Sequence, residues 1–161
     1  MKFKITLKID RKYGDLLPFN YQYEQSAVIY RILAQADTQY SSWLHENGYL
    51  LHERKRFKLF CYSPFIFEKV RPLPEAGCLK IIGERAVWYI SFIPEKSTLE
   101  FIQGIFAHQS FSIGNKKYQV AFDVVGVEAI SMPQLTEQMA FQAMSPICVK
   151  LHEDNKTQYL S

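Results

Sequence analysis

The stretch from Lys2 to Asp10 alternates between apolar and polar side chains without a break. It reads KFKITLKID, with an apolar residue at every odd position and mostly charged residues between them. A period of two is typical of a β-strand that buries one face. This strand limits the fold more than any other feature, because its apolar face needs neighbouring strands and a covering layer.

A helix is predicted from about residue 23 to residue 36, after a loop at residues 11–20. Glu24 lies in its first turn, where a carboxylate suits the helix dipole. Steps of three and four residues place one apolar stripe toward the core, formed by Val28, Ile29, Ile32, Leu33 and Ala36. Tyr30 falls outside this stripe, beside small side chains, so periodicity alone favours an exposed tyrosine there.

A second, shorter helix is predicted at about residues 38–47, with Asp37 or Thr38 as its N-cap and Gly48 as the left-handed residue that ends it. Its apolar face consists of Tyr40, Trp43 and Leu44. His45 lies away from that face, in the last turn, where the negative end of the helix stabilises a protonated imidazole. An isolated exposed histidine in this position more often only neutralises a helix end.

The remaining elements complete the order strand, helix, strand, strand, helix, strand. Strands are predicted at residues 58–67, 86–93 and 116–130, with short strands at residues 79–82 and 111–113 and a helix at residues 95–107. On that helix we expect Leu99, Ile102, Ile105 and Phe106 to face the core. Gly126 interrupts the last strand and predicts a bulge. Two split βαβ units in this order form the ferredoxin-like α+β fold, an antiparallel sheet with both helices on one face.

The chain is predicted to contain one complete domain and the start of another. With 161 residues, 48% of them hydrophobic, it can bury one sizeable core. We assign residues 1–130 to the ferredoxin-like N-terminal domain. Residues 131–161 are assigned to a linker and the first strand, at about residues 139–150, of an incomplete second domain of similar fold.

Cysteine spacing and the N-terminus bear on compartment and cofactors. Cys61, Cys78 and Cys148 lack the short paired spacing of structural zinc sites and redox dithiols. The N-terminus lacks the continuous apolar segment of a signal peptide, and no run approaches membrane-spanning length. We therefore expect a reduced, cytoplasmic protein with no metal, no cofactor and no membrane partner.

The distribution of charge says more than its total. The formal net charge of +3 is too small to identify a polyanionic partner. Arg54, Lys55 and Arg56 form a basic cluster, with Lys58 close behind. This cluster is a candidate RNA-binding site, although a solvated loop explains it equally well.

Four segments of the chain resemble the CRISPR-associated endoribonucleases of the repeat-associated mysterious protein superfamily, specifically the enzymes that process CRISPR precursor RNA. In order they are LPFNYQYEQSAVIYRIL, SWLHENG, KLFCYSPFIF and MSPICVK. The resemblance implies two tandem ferredoxin-like domains that hold CRISPR repeat RNA across their sheets, and a glycine-rich loop near the C-terminus. The seven glycines of this chain are all far apart, so the chain departs from the family in lacking that loop.

The resemblance also implies that Tyr30, His45 and Lys58 carry RNA cleavage. Metal-independent cleavage needs one group to take a proton from a 2′-hydroxyl, one to give a proton to the departing 5′-oxygen, and a cation to stabilise the phosphate. The products are a 2′,3′-cyclic phosphate and a 5′-hydroxyl. His52, seven residues after His45, competes for the histidine role. We expect weak or undetectable cleavage by the isolated 161-residue chain, since half of the RNA-binding surface is missing.

Two other functions remain open from the sequence. The chain can be a ferredoxin-like module that binds RNA without cutting it. It can also be a scaffold or homodimer, in which an unpaired strand such as residues 140–149 pairs with another chain. A CRISPR effector complex is a further expected partner.

Overall fold

The computed structural model describes residues 1–51, 55–131, 133–144, 149–153 and 156–160, and it describes side chains for residues 1–50, 56–131 and 133–144. In chain order the strands are β1 (Lys2–Asp10), β2 (Leu16–Pro18), β3 (Tyr49–Leu51), β4 (Lys55–Phe57), β5 (Phe60–Tyr62), β6 (Ile66–Phe67), β7 (Val70–Leu73), β8 (Cys78–Ile81), β9 (Arg85–Phe92), β10 (Ser110–Gly114), β11 (Gln119–Ile130), β12 (Val149–Glu153) and β13 (Lys156–Leu160). The helices are α1 (Gln22–Ala36), α2 (Thr38–Glu46) and α3 (Glu95–Ala107), with 3₁₀ turns at Arg11–Tyr13 and Pro74–Ala76. None of the described helices is long and apolar enough to span a membrane.

Strand β1 lies inside the main six-stranded sheet and pairs antiparallel with both β9 and β11. Its odd-numbered side chains are buried, namely Phe3, Ile5, Leu7 and Ile9. The strands follow the order β10–β11–β1–β9–β5, and β6 also pairs with β9. The order β11–β1–β9–β5 is that of two split βαβ units, so the predicted ferredoxin-like α+β fold is confirmed.

Strand β11 contains the bulge that Gly126 predicts. Thr6 pairs with Gly126, but the next residue of β1, Leu7, pairs with Val124, so Val125 has no partner in β1. One extra residue on one strand bends the sheet and increases its local twist.

Helices α1 and α3 cover the apolar face of the sheet and pack closely against each other. A Cβ atom built on Gly104 of α3 would lie 1.8 Å from the carbonyl oxygen of Ile32 in α1. No side chain fits in that space, so glycine is what lets the two helix backbones approach. The core beneath them is strongly aromatic, with Trp88, Phe92, Phe101 and Phe122 all fully buried.

The core-facing side of α3 differs in part from the prediction. Ile105 is buried as expected, but Leu99 and Phe106 are 54% and 61% exposed. Phe101 and Gly104 face the core instead. The contact of Gly104 with α1 sets the rotation of α3, and a pattern based on side-chain hydrophobicity does not detect an interface made by a glycine.

Two predicted strands are divided differently in the structure. The run at residues 58–67 forms two short strands, β5 and β6, because Pro64 lies between them and has no N–H to donate to the ladder. Strand β8, predicted at residues 79–82, leaves the main sheet and pairs with β2 and β7 in a separate three-stranded sheet. Residues 16–18 of that sheet come from a stretch predicted as loop.

The strand predicted at residues 139–150 is wrong over its first part. Residues 139–144 pair with no strand in the described part of the chain, and a strand without a ladder partner does not form. Residues 145–148 lie outside the described residues, and β12 begins at Val149 and pairs with β13. The assignment of residues 131–161 to an incomplete second domain stays a prediction.

Replacing Gly104 by alanine is expected to destabilise the protein by about 2–3 kcal/mol, because the new methyl group forces α1 and α3 apart. The measurement is the free energy of unfolding in urea. Gly126→Ala is the matched control, since a Cβ atom there lies 3.7 Å from Thr6, an ordinary contact. We expect that control to change the free energy by less than about 1 kcal/mol. Equal effects of the two substitutions would contradict a close helix contact at Gly104.

Candidate functional site

The three residues expected to carry chemistry meet at the C-terminal end of α2. The rings of Tyr30 and His45 contact edge to face, with centroids 4.9 Å apart and 82° between their planes. The ammonium group of Lys58 donates hydrogen bonds to the backbone carbonyl oxygens of Leu44 and His45. The phenol, the imidazole and the ammonium therefore lie around one helix end. His52, the competing histidine, lies outside the described residues.

Helix α2 is limited at both ends by residues that the sequence predicts. The carboxylate of Asp37 accepts a hydrogen bond from the Tyr40 N–H at 2.8 Å, so Asp37 is the N-cap. Gly48 follows the helix with a φ of +66°, the left-handed conformation expected of it. Between these two ends His45 occupies the last turn, with its side chain exposed.

A short hairpin brings Lys58 back to α2. Strands β3 and β4 pair so that Tyr49 lies opposite Phe57, which places the next residue, Lys58, beside Gly48. The backbones are so close there that a Cβ atom on Gly48 would lie 2.8 Å from the carbonyl oxygen of Phe57. No pattern in residues 49–57 predicted this hairpin. The hairpin explains how Lys58 contacts His45, which precedes it by 13 residues in the chain.

Leu59 is the one non-glycine residue with a positive φ in the described part of the chain, at 56°. The left-handed conformation costs a residue with a Cβ atom about 1–2 kcal/mol. It turns the chain between Lys58, which reaches back to α2, and Phe60, which enters β5. The Leu59 carbonyl oxygen accepts a hydrogen bond from the Ile93 N–H at 3.0 Å, which holds the turn. Backbone strain of this kind clusters at functional sites.

Aromatic side chains of β5 support Tyr30. The rings of Tyr30 and Phe60 contact edge to face, with centroids 5.8 Å apart. The Tyr62 hydroxyl donates to the carbonyl oxygen of Gln22 at 3.2 Å, which fixes β5 against α1. Burial, and then the neighbouring phenol of Tyr62, raise the pKa of Tyr30 above its ordinary value. Tyr30 therefore keeps its proton at neutral pH.

Basic side chains gather at the same end of α2. The guanidinium of Arg56 donates to Asn47 Oδ1 at 2.9 Å, one residue past the helix. Desolvation, and then the charge of Arg56, lower the pKa of Lys58. Of the other two residues predicted to bind RNA, Arg54 lies outside the described residues and Lys55 is described only by its backbone in β4.

A buried polar network, which the sequence analysis did not find, joins α2 to the core. The Tyr40 hydroxyl shares hydrogen bonds with the Tyr49 hydroxyl, at 2.9 Å, and with the Ser97 hydroxyl. Burial raises the pKa of Tyr40 strongly. The network links α2, β3 and α3, and so it holds the helix that presents His45. No spacing rule marks these residues, because each comes from a different element.

The donor groups of the site define what it can do chemically. Within the described residues, no set of three or more histidine, cysteine, aspartate or glutamate side chains is arranged to hold a metal ion. Cys61 and Cys78 are free thiols, and Cys148 lies outside the described residues. The site instead combines a phenol, an imidazole, an ammonium and a guanidinium, whose chemistry is proton transfer and stabilisation of negative charge.

The fold and the site together define a ferredoxin-like α+β domain with a cationic cluster at one edge of its sheet. A family model described as CRISPR-associated protein Cas6, N-terminal, matches residues 16–123, well over half of the chain. The chain belongs to the Cas6 family. The resemblance drawn from the four sequence segments is thereby confirmed.

Known relatives match nearly the whole chain. A CRISPR-associated endoribonuclease-like protein of Pyrococcus horikoshii, Cas6nc, is 25% identical over 162 residues, which cover 99% of this chain and 61% of the relative. The product of a Cas6-related gene from Pyrococcus furiosus superposes with a TM-score of 0.75 at 24% identity, covering 99% and 60% of the two chains. A RAMP protein that binds different RNA substrates superposes with a TM-score of 0.72 at 24% identity, and the match covers 99% of this chain and 61% of that protein. The chain thus spans about three-fifths of the length of these relatives.

Substituting Lys58 by methionine is expected to lower the free energy of unfolding by about 1–2 kcal/mol, because two carbonyl groups in the last turn of α2 lose a charged donor. The measurement is urea unfolding at neutral pH. Lys69→Met is the control, since Lys69 is exposed and its side chain makes no hydrogen bond in the described part of the chain. A loss no larger than that of the control would show that Lys58 does not hold α2.

The N-cap of α2 is expected to make stability depend on pH. The hydrogen bond from the Tyr40 N–H, and then the Lys96 ammonium at 3.2 Å, hold the pKa of Asp37 below its ordinary value. A carboxyl group with a lowered pKa stabilises the fold above about pH 4 and loses that effect as the pH falls through its folded pKa. The melting temperature of Asp37→Asn should therefore lie below that of the wild type at neutral pH and approach it in acid.

The control for this pH series is Glu75→Gln, at an exposed carboxylate that makes no ion pair in the described part of the chain. Its melting temperature should follow that of the wild type at every pH. A difference between Asp37→Asn and the wild type that stays constant from neutral pH into acid would contradict a stabilising charge at the N-cap.

Proposed function

We propose that this chain forms the catalytic part of a metal-independent endoribonuclease that cleaves CRISPR repeat RNA. One observation carries the proposal, which is the meeting of Tyr30, His45 and Lys58 at the C-terminal end of α2. Family membership supports a role in CRISPR RNA processing. The Pyrococcus horikoshii relative is named as endoribonuclease-like, which supports nuclease activity. The structurally similar RAMP protein binds RNA substrates, which supports RNA as the ligand.

The proposed reaction is an internal transfer of the phosphoryl group. The 2′-oxygen upstream of the scissile phosphate attacks the phosphorus atom, a new P–O2′ bond forms, and the P–O5′ bond breaks. The 2′-hydroxyl proton passes to a base on the protein, and a proton from an acid on the protein goes to the departing 5′-oxygen. The products are a 2′,3′-cyclic phosphate and a 5′-hydroxyl, with no water consumed.

The proton transfers are assigned to His45 and Tyr30. Imidazole is suited to both directions of proton transfer near neutral pH, and the His45 side chain is exposed to an incoming RNA. Tyr30 keeps its proton, since its pKa is raised, and so it donates a hydrogen bond or a proton rather than acting as the base. The edge-to-face contact of the two rings supports assigning both groups to the same sugar-phosphate unit.

Lys58 is assigned to the charge on the phosphate. An ammonium group has three N–H donors, and the carbonyl oxygens of Leu44 and His45 use two of them. The third has no partner among the described residues and can reach a phosphate oxygen, so Lys58 can stabilise the transition state without leaving the helix. Arg56 adds a second positive charge at the same helix end, and we include Arg54 and Lys55 with it as RNA-binding residues.

A second candidate function is RNA binding without cleavage. The observation that favours it is that Lys58 donates hydrogen bonds to two backbone carbonyl oxygens of α2. Holding the helix in place would by itself explain a lysine at this position, without a role in cleavage. Binding of repeat RNA with no product on a denaturing gel would support this alternative. A homodimer and a CRISPR effector complex stay predictions.

The test is cleavage of CRISPR repeat RNA in EDTA, with the protein in excess over a labelled RNA and long incubation. His45→Ala is expected to slow cleavage about 10²- to 10⁴-fold, because it removes a proton-transfer group. His108→Ala is the matched control, since His108 is exposed at the end of α3, and it should cleave like the wild type. Mass spectrometry of the products should find the cyclic phosphate.

Two results would count against the enzyme. One is strict dependence of cleavage on magnesium, and the other is an equal rate for His45→Ala and the wild type. We also expect the 161-residue chain to cleave slowly, since it spans about three-fifths of the length of its relatives. Rapid multiple turnover by this chain would contradict that last expectation while leaving the assignment of His45 intact.

A further inference from the structure

A cleft lies at the corner of the main sheet diagonally opposite the candidate active site. It is formed between the 3₁₀ turn that follows β1 and the turn that joins β10 to β11, and it has a volume of about 550 Å³. Its lining consists of Tyr13, Gly114, Asn115, Lys116, Lys117 and Gln119. The lining is therefore an aromatic ring, two amines and two side-chain amides, and no acidic residue of the described part of the chain is among them.

The turn that presents the two lysines is held by its own hydrogen bonds. The Asn115 side-chain oxygen accepts from the Lys117 N–H at 2.8 Å and from the Tyr118 N–H at 2.9 Å. The Asn115 N–H donates to the Tyr118 carbonyl oxygen at 2.8 Å. A Cβ atom on Gly114 would lie 2.1 Å from that same oxygen, so the turn needs glycine. The lysine side chains thus project from a defined backbone rather than from a loose loop.

The cleft has an excess of positive charge. Lys116 and Lys117 make no ion pair with a carboxylate in the described part of the chain, whereas Lys12, beside the cleft, pairs with Asp10 at 3.2 Å. The Lys12 ammonium also lies 5.3 Å from the centre of the Tyr13 ring. That ring is 56% exposed although an aromatic side chain gains by burial. The Lys117 ammonium lies 4.8 Å from the centre of the Tyr118 ring, so it has an aromatic neighbour and no carboxylate partner in the described residues. An exposed ring beside amines that lack a carboxylate partner is the combination that binds a base and its phosphates.

The cleft is a separate site from the one that contains His45. Strand β1 has nine residues, and Tyr13 ends the 3₁₀ turn that follows its last residue. Lys58 instead lies near the first residue of β1, because Phe60 pairs with Phe92 at that end of the sheet. A rise of about 3.3 Å per residue puts roughly 25 Å or more between the two sites. At about 3.4 Å per nucleotide, a strand that stays stacked needs about seven nucleotides or more to touch both sites.

We propose that this cleft binds a single-stranded segment of RNA, with one base stacked on the Tyr13 ring and the flanking phosphates on Lys116 and Lys117. The identity of that RNA as the repeat substrate rests on the proposed function, but the contact itself does not. The cleft supplies affinity and takes no part in the chemistry. Single-stranded RNA fits better than a duplex, because a duplex stacks its bases on each other and leaves no free face for Tyr13.

The test measures binding of a fluorescently labelled oligouridylate of about 18 nucleotides to the intact chain, as a function of KCl concentration. The double variant Lys116→Gln/Lys117→Gln should bind more weakly, and the slope of log affinity against log salt should fall in magnitude by roughly 1.4, since each single-strand phosphate contact contributes about 0.7. Tyr13→Ala should lower affinity about five-fold or more with an unchanged slope, because stacking is not electrostatic.

Matched controls separate the cleft from general surface charge. Lys69→Gln/Arg71→Gln removes the same charge from another exposed surface, and Tyr23→Ala removes a tyrosine that is 81% exposed at the start of α1. Both controls should bind like the wild type, and melting temperatures should verify that every variant is folded. The proposal is overturned if the two lysine variants lose affinity equally. It is also overturned if Tyr13→Ala has no effect, since the cleft would then be a polyanion patch without a base site.

This test and the cleavage test fail independently. If His45→Ala loses cleavage while the cleft variants bind oligouridylate like the wild type, the proposed RNA site in the cleft is overturned and the proposed nuclease activity stands. If binding depends on Tyr13 and the two lysines but the protein cuts no RNA, the proposed RNA site in the cleft stands and the proposed nuclease activity is overturned.

Discussion

The pairing of β1 with strands on both of its sides is the interaction on which the rest of the structure depends. All nine residues of β1 pair antiparallel with β11 and the first seven also pair with β9, and the odd-numbered side chains make the centre of the core. A sheet with one apolar face requires a cover, and α1 and α3 supply it by packing together at Gly104. The candidate site lies where that cover reaches the β5 edge, so its geometry follows from the fold.

Most of the main fold could be predicted from the sequence, because its elements have a clear period. The alternation in β1, the stripe of α1 and the Asp37 and Gly48 boundaries of α2 are local features, and each appears in the structure where the sequence places it. Features set by contacts between distant elements could not be predicted. The rotation of α3 about its axis depends on the contact between Gly104 and Ile32. Strand β8 pairs with β2 and β7 in a separate sheet and not with the main sheet.

The candidate site shows the same division between local and distant information. Periodicity alone favoured an exposed Tyr30 and a His45 that only neutralises a helix end, and the resemblance to a family gave both residues a role. What brings Lys58 to them is the β3–β4 hairpin and the left-handed Leu59, neither of which has a sequence signal. A leucine is a poor choice for a positive φ, so the local sequence argues against the turn that the site needs.

The position of the site at a helix C-terminus determines which side chains it needs. Anions usually bind at helix N-termini, where free N–H groups and the positive end of the helix dipole attract them. The end of α2 presents carbonyl oxygens and the negative end of the dipole, which repel a phosphate. Lys58 donates hydrogen bonds there to the last carbonyls of the helix, and Arg56 donates one to Asn47. These cations offset the negative helix end, and under the proposed function their remaining charge is what attracts RNA. Because two N–H groups of Lys58 bond to carbonyl oxygens of the helix, the proposed function would make the same ammonium link the stability of α2 to the binding of phosphate.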